Sequence, residues 1–459
     1  MLDDMFDHMA ALRDQPVWRA PSPKARAALD EPLPQSGAAL AEVHDSFLRN
    51  ILPYGSGNAH PGFMGWVQGG GTAPGMLADM LAAGLNANCG GRNHMAIAVE
   101  RQVTAWTAQM FRFPEGSSGV FVTGASAANA MGVQLARVRT LGPLIRDEGL
   151  VEGGARLVAY AATSAHDCVG RAIELAGIGR RHLRLVPVDS DHRLSVVALC
   201  SQLAKDRAEG LQPFLIVGTA GTVDVGAIDP LDQLADVAAA EDLHFHVDGA
   251  LGGLGAMSPR VAPRLKGLER ADSIALDWHK WGQAPYDAGF FLARDSALHK
   301  AAFATDAAYL RRVERGLAGG DFWPCDYGPD LSRGFRALKV WFTLKHFGAK
   351  ALARVVDNSL DLAARLGQHV AQSRELELLA PVTLNIVCFG WRVGDDCDAI
   401  NAAIVEDLHE DGQVAPSLTR INGRTAIRAA IVNHRTTEAD VDLLVDRVLT
   451  HGRRRHGAP

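Results

Sequence analysis

The chain has 459 residues, 47% hydrophobic and 21% charged, with 46 basic against 52 acidic side chains and a net charge of −6. That composition excludes a mostly disordered chain and a disulfide-stapled miniprotein, and it leaves no basic excess for a nucleic-acid backbone. Six cysteines, at 89, 168, 200, 325, 388 and 397, form no C-x-x-C pair, so a metal centre is not expected and the sparse usage fits a reducing cytoplasm.

The first residues, MLDDMFDHMAALRDQP, lack the apolar core of a secretory leader, and no apolar run approaches the ~20 residues of a membrane-spanning helix. A short helical start is followed by PVWRAPSPKARAALDEPLPQSG, whose prolines rule out one continuous helix and suggest an arm lying on another surface. AEVHDSFLRNILPYG then returns to helical spacing. From about residue 100 to 300, short runs rich in Val, Ile and Phe (GVFVTG, ARLVAYAA, FLIVGTA, LHFHVDGA, SIALDW, GFFLARD) alternate with helical stretches such as ANAMGVQLARVRT, CVGRAIELAG and LDQLADVAAAEDL. That alternation predicts an α/β unit with a mainly parallel sheet, in which ligands bind beyond the carboxyl ends of the strands. FRALKVWFTLKHFGAKALARVVDNSLDLAARLGQHVAQS reads as one long helical region bent near Gly348. TLNIVCFGW and TAIRAAIVN read as strands, and DAINAAIVEDLHEDG and TEADVDLLVDRVLTHG as helices, of a smaller C-terminal α/β part. The tail Arg453, Arg454, Arg455 reads as a solvated end.

Five segments that follow apolar runs carry chemistry. Lys280, in DWHKW, sits at a strand end beside aromatics, where desolvation lowers an amine's pKa and leaves the nucleophile of Schiff-base chemistry; alone, it also reads as a surface lysine. Asp248, in HVDGA, can pair with a cationic ring nitrogen or cap the next turn. Ala125 and Ser126, in VTGASAAN, open a helix whose N-terminus favours an anion, or Ser126 is a plain N-cap. His166 opens another helix and can stack on a planar ring or cap. Thr222 follows a buried strand in GTAGTVD. A phosphate cradle, a stacker, a ring-nitrogen acid and an amine, in that order, describe a protein that holds pyridoxal phosphate.

On those residues the chain resembles the group II pyridoxal-phosphate-dependent amino acid decarboxylases, the family of the aromatic-L-amino-acid and glutamate enzymes. The matching motifs are HPGFMGW from 60, LADMLAAGLN from 77, VTGASAAN from 122, SAHDCVGRA from 164, GTAGTVDVGAIDP from 218, HVDGALGG from 246, DWHKWGQAPYDAGFFLARD from 277, LSRGFRALKVWFTLK from 331 and NHRTTEADVD from 433. The resemblance implies the PLP-dependent transferase-like fold of type I. Its large domain carries a mainly parallel seven-stranded sheet, its small C-terminal domain is α/β, and the protein is a cytoplasmic homodimer. It divides the chain into an N-terminal arm over 1–60, a large cofactor domain over 61–335 and a small domain over 336–459. It makes Lys280 the Schiff-base lysine, His279 a phosphate contact, Asp248 the ring-nitrogen acid, Ala250 the residue under the ring, His166 the stacking histidine, Ala125 and Ser126 the phosphate turn, and Thr222 a neighbour of the cofactor. The implied reaction is decarboxylation of an L-amino acid to its amine and CO2.

Three departures qualify the match. Ala127 stands where the family's phosphate turn carries a glutamate. The segment NANCGGRNHM, expected at the substrate mouth together with His60 and Trp66, is polar and cationic, with Arg92 and His94 suited to a carboxylate or phosphate; alternatively Arg92 pairs with Glu100. The loop RRVERGLAGGDFWPCDYGPD, from 311 to 330, is expected to be a lid hinged at Gly319 and Gly320, with Tyr327 as the candidate proton donor to the substrate carbon. Two other outcomes with the same cofactor stay open: an aldehyde synthase, and a carbon–carbon lyase on a phosphorylated amino alcohol. A non-catalytic cofactor-binding protein is the remaining alternative.

Overall fold

A computed structural model describes residues 1–150, 156–305 and 311–457. The chain divides into two compact units, Met1–Ala73 with Asn358–Pro459, and Pro74–Asp357.

In chain order the helices up to the sheet are α1 (Leu2–Ala10), α2 (Pro23–Ala27), α3 (Leu40–Asn50), α4 (Ala73–Leu85) and α5 (Met95–Met110). The prolines do break the first segment, and Pro23 opens α2 behind a Ser22 cap. Then come β1 (Ser118–Val122), α6 (Ala125–Leu141), α7 (Ile145–Glu148), β2 (Leu157–Ala162), α8 (Cys168–Leu175), β3 (Leu183–Val186), α9 (Val196–Ala208), β4 (Gln212–Thr219), α10 (Leu231–Ala240), β5 (His244–Asp248), β6 (Ser273–Asp277), β7 (Gly289–Ala293) and α11 (Ser296–Phe303). The remainder is α12 (Ala337–Phe347), α13 (Ala349–Gln372), β8 (Leu376–Leu378), β9 (Ile386–Trp391), α14 (Cys397–Asp411), β10 (Ser417–Ile421), β11 (Arg424–Ala430) and α15 (Glu438–His456).

The larger unit is built on a seven-stranded sheet of order β1-β7-β6-β5-β4-β2-β3. Only β7 runs antiparallel to its neighbours. The expected mainly parallel α/β sheet is therefore present. β1, β2, β5, β6 and β7 are buried along their whole length, which is why they read as unbroken apolar runs. β3, at the sheet edge, is half exposed, and its alternating LRLV is invisible to that criterion. Because the other six strands are mutually parallel, the carboxyl ends of β1, β2, β4, β5 and β6 share one edge.

The smaller unit holds an antiparallel sheet of order β10-β11-β9-β8 with a core around Phe389, Trp391, Ile427 and Leu444. The expected single bent helix is two helices: Gly348, at φ 75°, closes α12 in a conformation that favours glycine. A Thr437–Asp440 capping box opens α15. The tail arginines are engaged within this unit, Arg453 with Glu375 and Arg454 and Arg455 with Asp407. Among the described residues no helix is long and apolar enough to cross a membrane.

Candidate active site

Two strands deliver the central charges. β5 ends in Asp248 and β6 in Asp277, each about 4% or less exposed. After β6 the chain turns, and Lys280 Nζ comes back to 2.8 Å from Asp277 Oδ2. Asp277 Oδ1 accepts a hydrogen bond of 2.7 Å from the backbone N of Ala125, the first residue of α6. One carboxylate thus joins the lysine to the turn that was expected to hold a phosphate. Asp277 was not singled out in the sequence, although a carboxylate three residues before the lysine at a strand end is a readable signal.

The lysine's electrostatics correct one expectation. Burial alone would push Lys280 down, as the sequence suggested, but Asp277 beside it outweighs burial and holds the amine above its ordinary value. Asp248 is pushed up by burial, against the pull of the Ala250 N–H and of Lys280 and His166 nearby. Its Oδ1 accepts from Ala250 N at 3.0 Å, and Cys168 Sγ lies 4.0 Å from its Oδ2. Turn-capping and a place among the site's charges are therefore both true of Asp248.

His279 Nδ1 accepts from Ala288 N at 3.0 Å, so the neutral ring carries its proton on Nε2, which faces Asp277 Oδ1 at 3.5 Å. Burial keeps that ring neutral. Tyr286 lies against it with ring centroids 4.1 Å apart. His166, one residue before the Asp167 N-cap of α8, accepts at Nδ1 from Cys168 N at 3.1 Å, and its ring is exposed. Gly124, not Ser126, is the N-cap of α6, and Ser126 lies inside the first turn. A Cβ added to Gly124 would point at Asp277 Oδ1, 3.8 Å away, and His279 Cε1, 3.9 Å away, so the turn opens toward the same corner. Thr222 Oγ1 accepts from Ala227 N at 3.0 Å and keeps its O–H to donate.

A half-buried amine, a helix N-terminus without a side-chain cap, an N–H-bearing imidazole and a buried carboxylate meet on one sheet edge. That donor set fits a planar aldehyde that carries a phosphate at one end and a basic ring nitrogen at the other.

The remaining expectations fare differently. Arg92 does not pair with Glu100; its guanidinium lies 4.5 Å from the centroid of the Trp323 ring. Glu100 is bound instead by Arg333, which also donates to Cys89 O and Phe121 O, both at 2.8 Å. His94 Nε2 lies 3.3 Å from Asn88 O. In the segment expected to be a lid, Leu317 O accepts from Asn93 N at 2.9 Å, and Trp323 Nε1 donates to Gly319 O, within the same segment, at 3.1 Å. Tyr327 is buried, with ring centroids 4.8 Å from Phe322 and 5.2 Å from His299. His299 in turn bonds Ser118 Oγ at 2.7 Å, so Tyr327 sits at the opening of β1, whereas Ala125 follows its far end. The structure does not bring Tyr327 to Lys280 within one chain. His60 and Trp66 belong to the smaller unit: His60 is buried with Nδ1 accepting from Gly62 N at 2.9 Å, and Trp66 is exposed.

The model of the pyridoxal-dependent decarboxylase conserved domain matches residues 23–392. An aromatic-L-amino-acid decarboxylase of Bacillus atrophaeus is 32% identical over 454 residues, covering 96% of this chain and 91% of that protein. An L-2,4-diaminobutyrate decarboxylase of Rhizobium meliloti (strain 1021) is 31% identical over 427 residues, covering 91% and 83%. The crystal structure of Oryza sativa TDC with PLP and tryptamine superposes with a TM-score of 0.91 at 24% identity, covering 99% of this chain and 96% of that one.

Proposed function

The chain belongs to the pyridoxal-dependent decarboxylase family, and on that premise we propose that it converts an L-amino acid to its amine and CO2, with Lys280 as the amine that carries the cofactor's aldehyde. The protein is an enzyme of the carboxy-lyase class and its cofactor is pyridoxal 5'-phosphate. When bound, that cofactor supplies an electron sink for the bond that breaks at the substrate's α-carbon. The observation that carries the proposal is the meeting of Lys280, Asp277 and the α6 N-terminus on the edge where β5 ends in Asp248.

Each residue has a task that its geometry supports. The α6 N-terminus at Ala125–Ser126 and His279 Nε2–H would hold the phosphate, the Ala125 N–H and the imidazole both now facing Asp277 Oδ1. Asp248 would hold a proton at the ring nitrogen, and His166 and Ala250 would lie against the ring's two faces. Lys280 Nζ gives up and takes back a proton beside the α-carbon, with Asp277 as its counter-charge. The side chains around the substrate choose which α-carbon bond stands across the ring plane, and so which one breaks. Arg92 and His94 are the proposed contacts for a polar or anionic substrate group, and His60 and Trp66 further contacts.

A homodimer is proposed on exposed apolar surface. α1 and α3 bury no residue, and Leu33, Leu40, Val43 and Ile51 are exposed, as are Met80, Leu81 and Leu85 on α4. We carry the 1–60 arm, 61–335 cofactor domain and 336–459 small domain into this proposal. The cytoplasm is proposed because all six cysteines are free.

A second reading, decarboxylation with oxidative deamination to the aldehyde, is favoured by one observation: the loop tyrosine expected to return a proton, Tyr327, is buried away from Lys280. Cofactor-loaded protein incubated with aromatic, acidic and basic amino acids and with phosphoethanolamine-type compounds, with products identified by mass spectrometry, separates the readings. An amine one CO2 lighter than its parent is expected. Aldehyde with ammonia and peroxide, formed with dioxygen as the oxidant, selects the second reading, and no CO2 from any amino acid ends both.

A further inference from the structure

Behind Asp248 runs a continuous line of buried polar groups that the reaction itself does not employ. His244, His246 and Asp248 alternate along β5 on one face, where an interior strand ordinarily presents apolar side chains. His244 Nε2 and His246 Nδ1 both lie 2.8 Å from Ser273 Oγ on the neighbouring β6. His246 Nε2 lies 2.9 Å from Asn129 Oδ1 on α6. Asn129 Nδ2 donates to Cys168 Sγ at 3.4 Å, and Cys168 Sγ lies 4.0 Å from Asp248 Oδ2. All six residues are at most 6% exposed.

The direction of these bonds follows from the inventory of donors. Burial keeps both histidines neutral, their pKa values pushed down to about 3. Asn129 offers an oxygen to His246, so His246 carries its proton on Nε2 and is an acceptor at Nδ1. Ser273 must then donate to His246 and accept from His244. Asn129 gives its N–H to the sulfur, which leaves the Cys168 S–H to point at Asp248 Oδ2, 4.0 Å away, while Oδ1 takes the Ala250 N–H. Every donor in the line points toward Asp248, and hydrogen bonds aligned in this way polarise one another. The line is a polarising string and not a proton wire, because the Asn129 amide does not pass a proton on.

We propose that this string is a positioning device for Asp248: it aims the Cys168 S–H at Oδ2 while Ala250 N–H holds Oδ1, so that the buried carboxylate is kept turned toward the cofactor's ring nitrogen. The inference rests on the reading of Asp248 given under Proposed function. Other charged groups that face Asp248 are Lys280, His166 and Asp277, and Ser126 lies beside the same thiol. Ser273 is the decisive member. Without its hydroxyl, His246 is free to move its proton to Nδ1, the Asn129 amide turns over to keep its partner, and the S–H is drawn to Asn129 instead of Asp248.

The test uses Ser273→Ala, Cys168→Ala, the double variant and Asp248→Asn. Two quantities are read: the dissociation constant of pyridoxal phosphate from each folded variant, and the 15N resonance of ring-labelled cofactor in the holoenzyme. Either single alanine variant is expected to weaken the cofactor by about three- to tenfold and to move the 15N signal toward the unprotonated position. The double variant is expected to do no more than either single one, since both cut the same line. Ser273→Ala that melts like the parent and leaves both quantities unmoved overturns the string, as does additivity of the two losses. Asp248→Asn keeps the two failures apart. If it alone moves the 15N signal, Asp248 stands and the string falls; if it too moves nothing, the reading of Asp248 falls with it.

Discussion

Asp277 Oδ2 sits 2.8 Å from Lys280 Nζ while its other oxygen takes the Ala125 N–H. An anion belonging to the chain occupies the position between amine and helix N-terminus and holds the lysine protonated. Asp277→Asn keeps an oxygen for Ala125 and removes the charge, so Lys280 titrates lower and more of it is free amine at a given pH. Apo protein carrying Asp277→Asn is expected to take up pyridoxal phosphate about tenfold faster at pH 7 than the parent, the factor for one pKa unit. An unchanged rate means that Asp277 does not govern the lysine.

Lys280→Ala removes the amine itself. Decarboxylation is expected to fall by at least about a thousandfold. Borohydride treatment of the parent leaves the reduced cofactor attached in the intact-mass spectrum, and the variant gains no such mass. Retention of turnover or of the adduct moves the chemistry to another residue.

Arg333 and Glu100 form a buried pair, 5% and 1% exposed, with Phe121 N also donating to Glu100 at 3.0 Å. Arg333→Met leaves the carboxylate buried without its counter-charge. Urea unfolding is expected to show a loss of about 3–5 kcal/mol. A loss below 1 kcal/mol means that Glu100 finds another partner or a proton.

Burial pushes His299, like His244 and His246, down to about 3. A base depressed in the folded state contributes stability that is complete above its unfolded value near 6.5 and is lost as the pH falls toward 3, at about 1.4 kcal/mol per pH unit for each ring. Asp229 opposes this, since burial raises its carboxyl to about 6 and the folded state gains a proton there first. His299→Gln removes one of the three rings. The stability difference between pH 6 and pH 4 is expected to shrink by about 2–3 kcal/mol in that variant. An unchanged difference means that His299 takes up its proton in the folded state.

Tyr327→Phe deletes a phenol packed at the Ser118 end of β1. The ratio of amine to aldehyde is expected to stay as in the parent. A shift toward aldehyde would return Tyr327 to the proton-delivery step and require the loop to act outside its own chain.

The strand-end residues were legible because a parallel sheet buries both faces of its strands and collects their carboxyl ends. An unbroken apolar run that stops at Asp248, or turns at His279 and Lys280, therefore marks the site directly. The same criterion hides β3 and β10, whose alternating LRLV and SLTRI belong to half-exposed strands. It also hides His244 and His246, since the apolar face of β5, made of Phe245 and Val247 and continued by Leu243 just before it, accounts for the strand without them. Asp277 was passed over because its role depends on where α6 begins, and Tyr327 was misjudged because nothing local says which end of β1 its ring will meet.

Gly132 lies in the middle of α6, where an exposed glycine is ordinarily worth replacing by alanine for roughly 0.5–1 kcal/mol. Here a Cβ would come within 2.6 Å of His246 Cε1 and Nδ1. The bare helix surface is the seat of the imidazole that bonds Asn129. A stability screen that ranks helix glycines by propensity would thus choose a substitution that dislodges the ring, and the harm would first show as slackened cofactor retention, with the fold itself still intact.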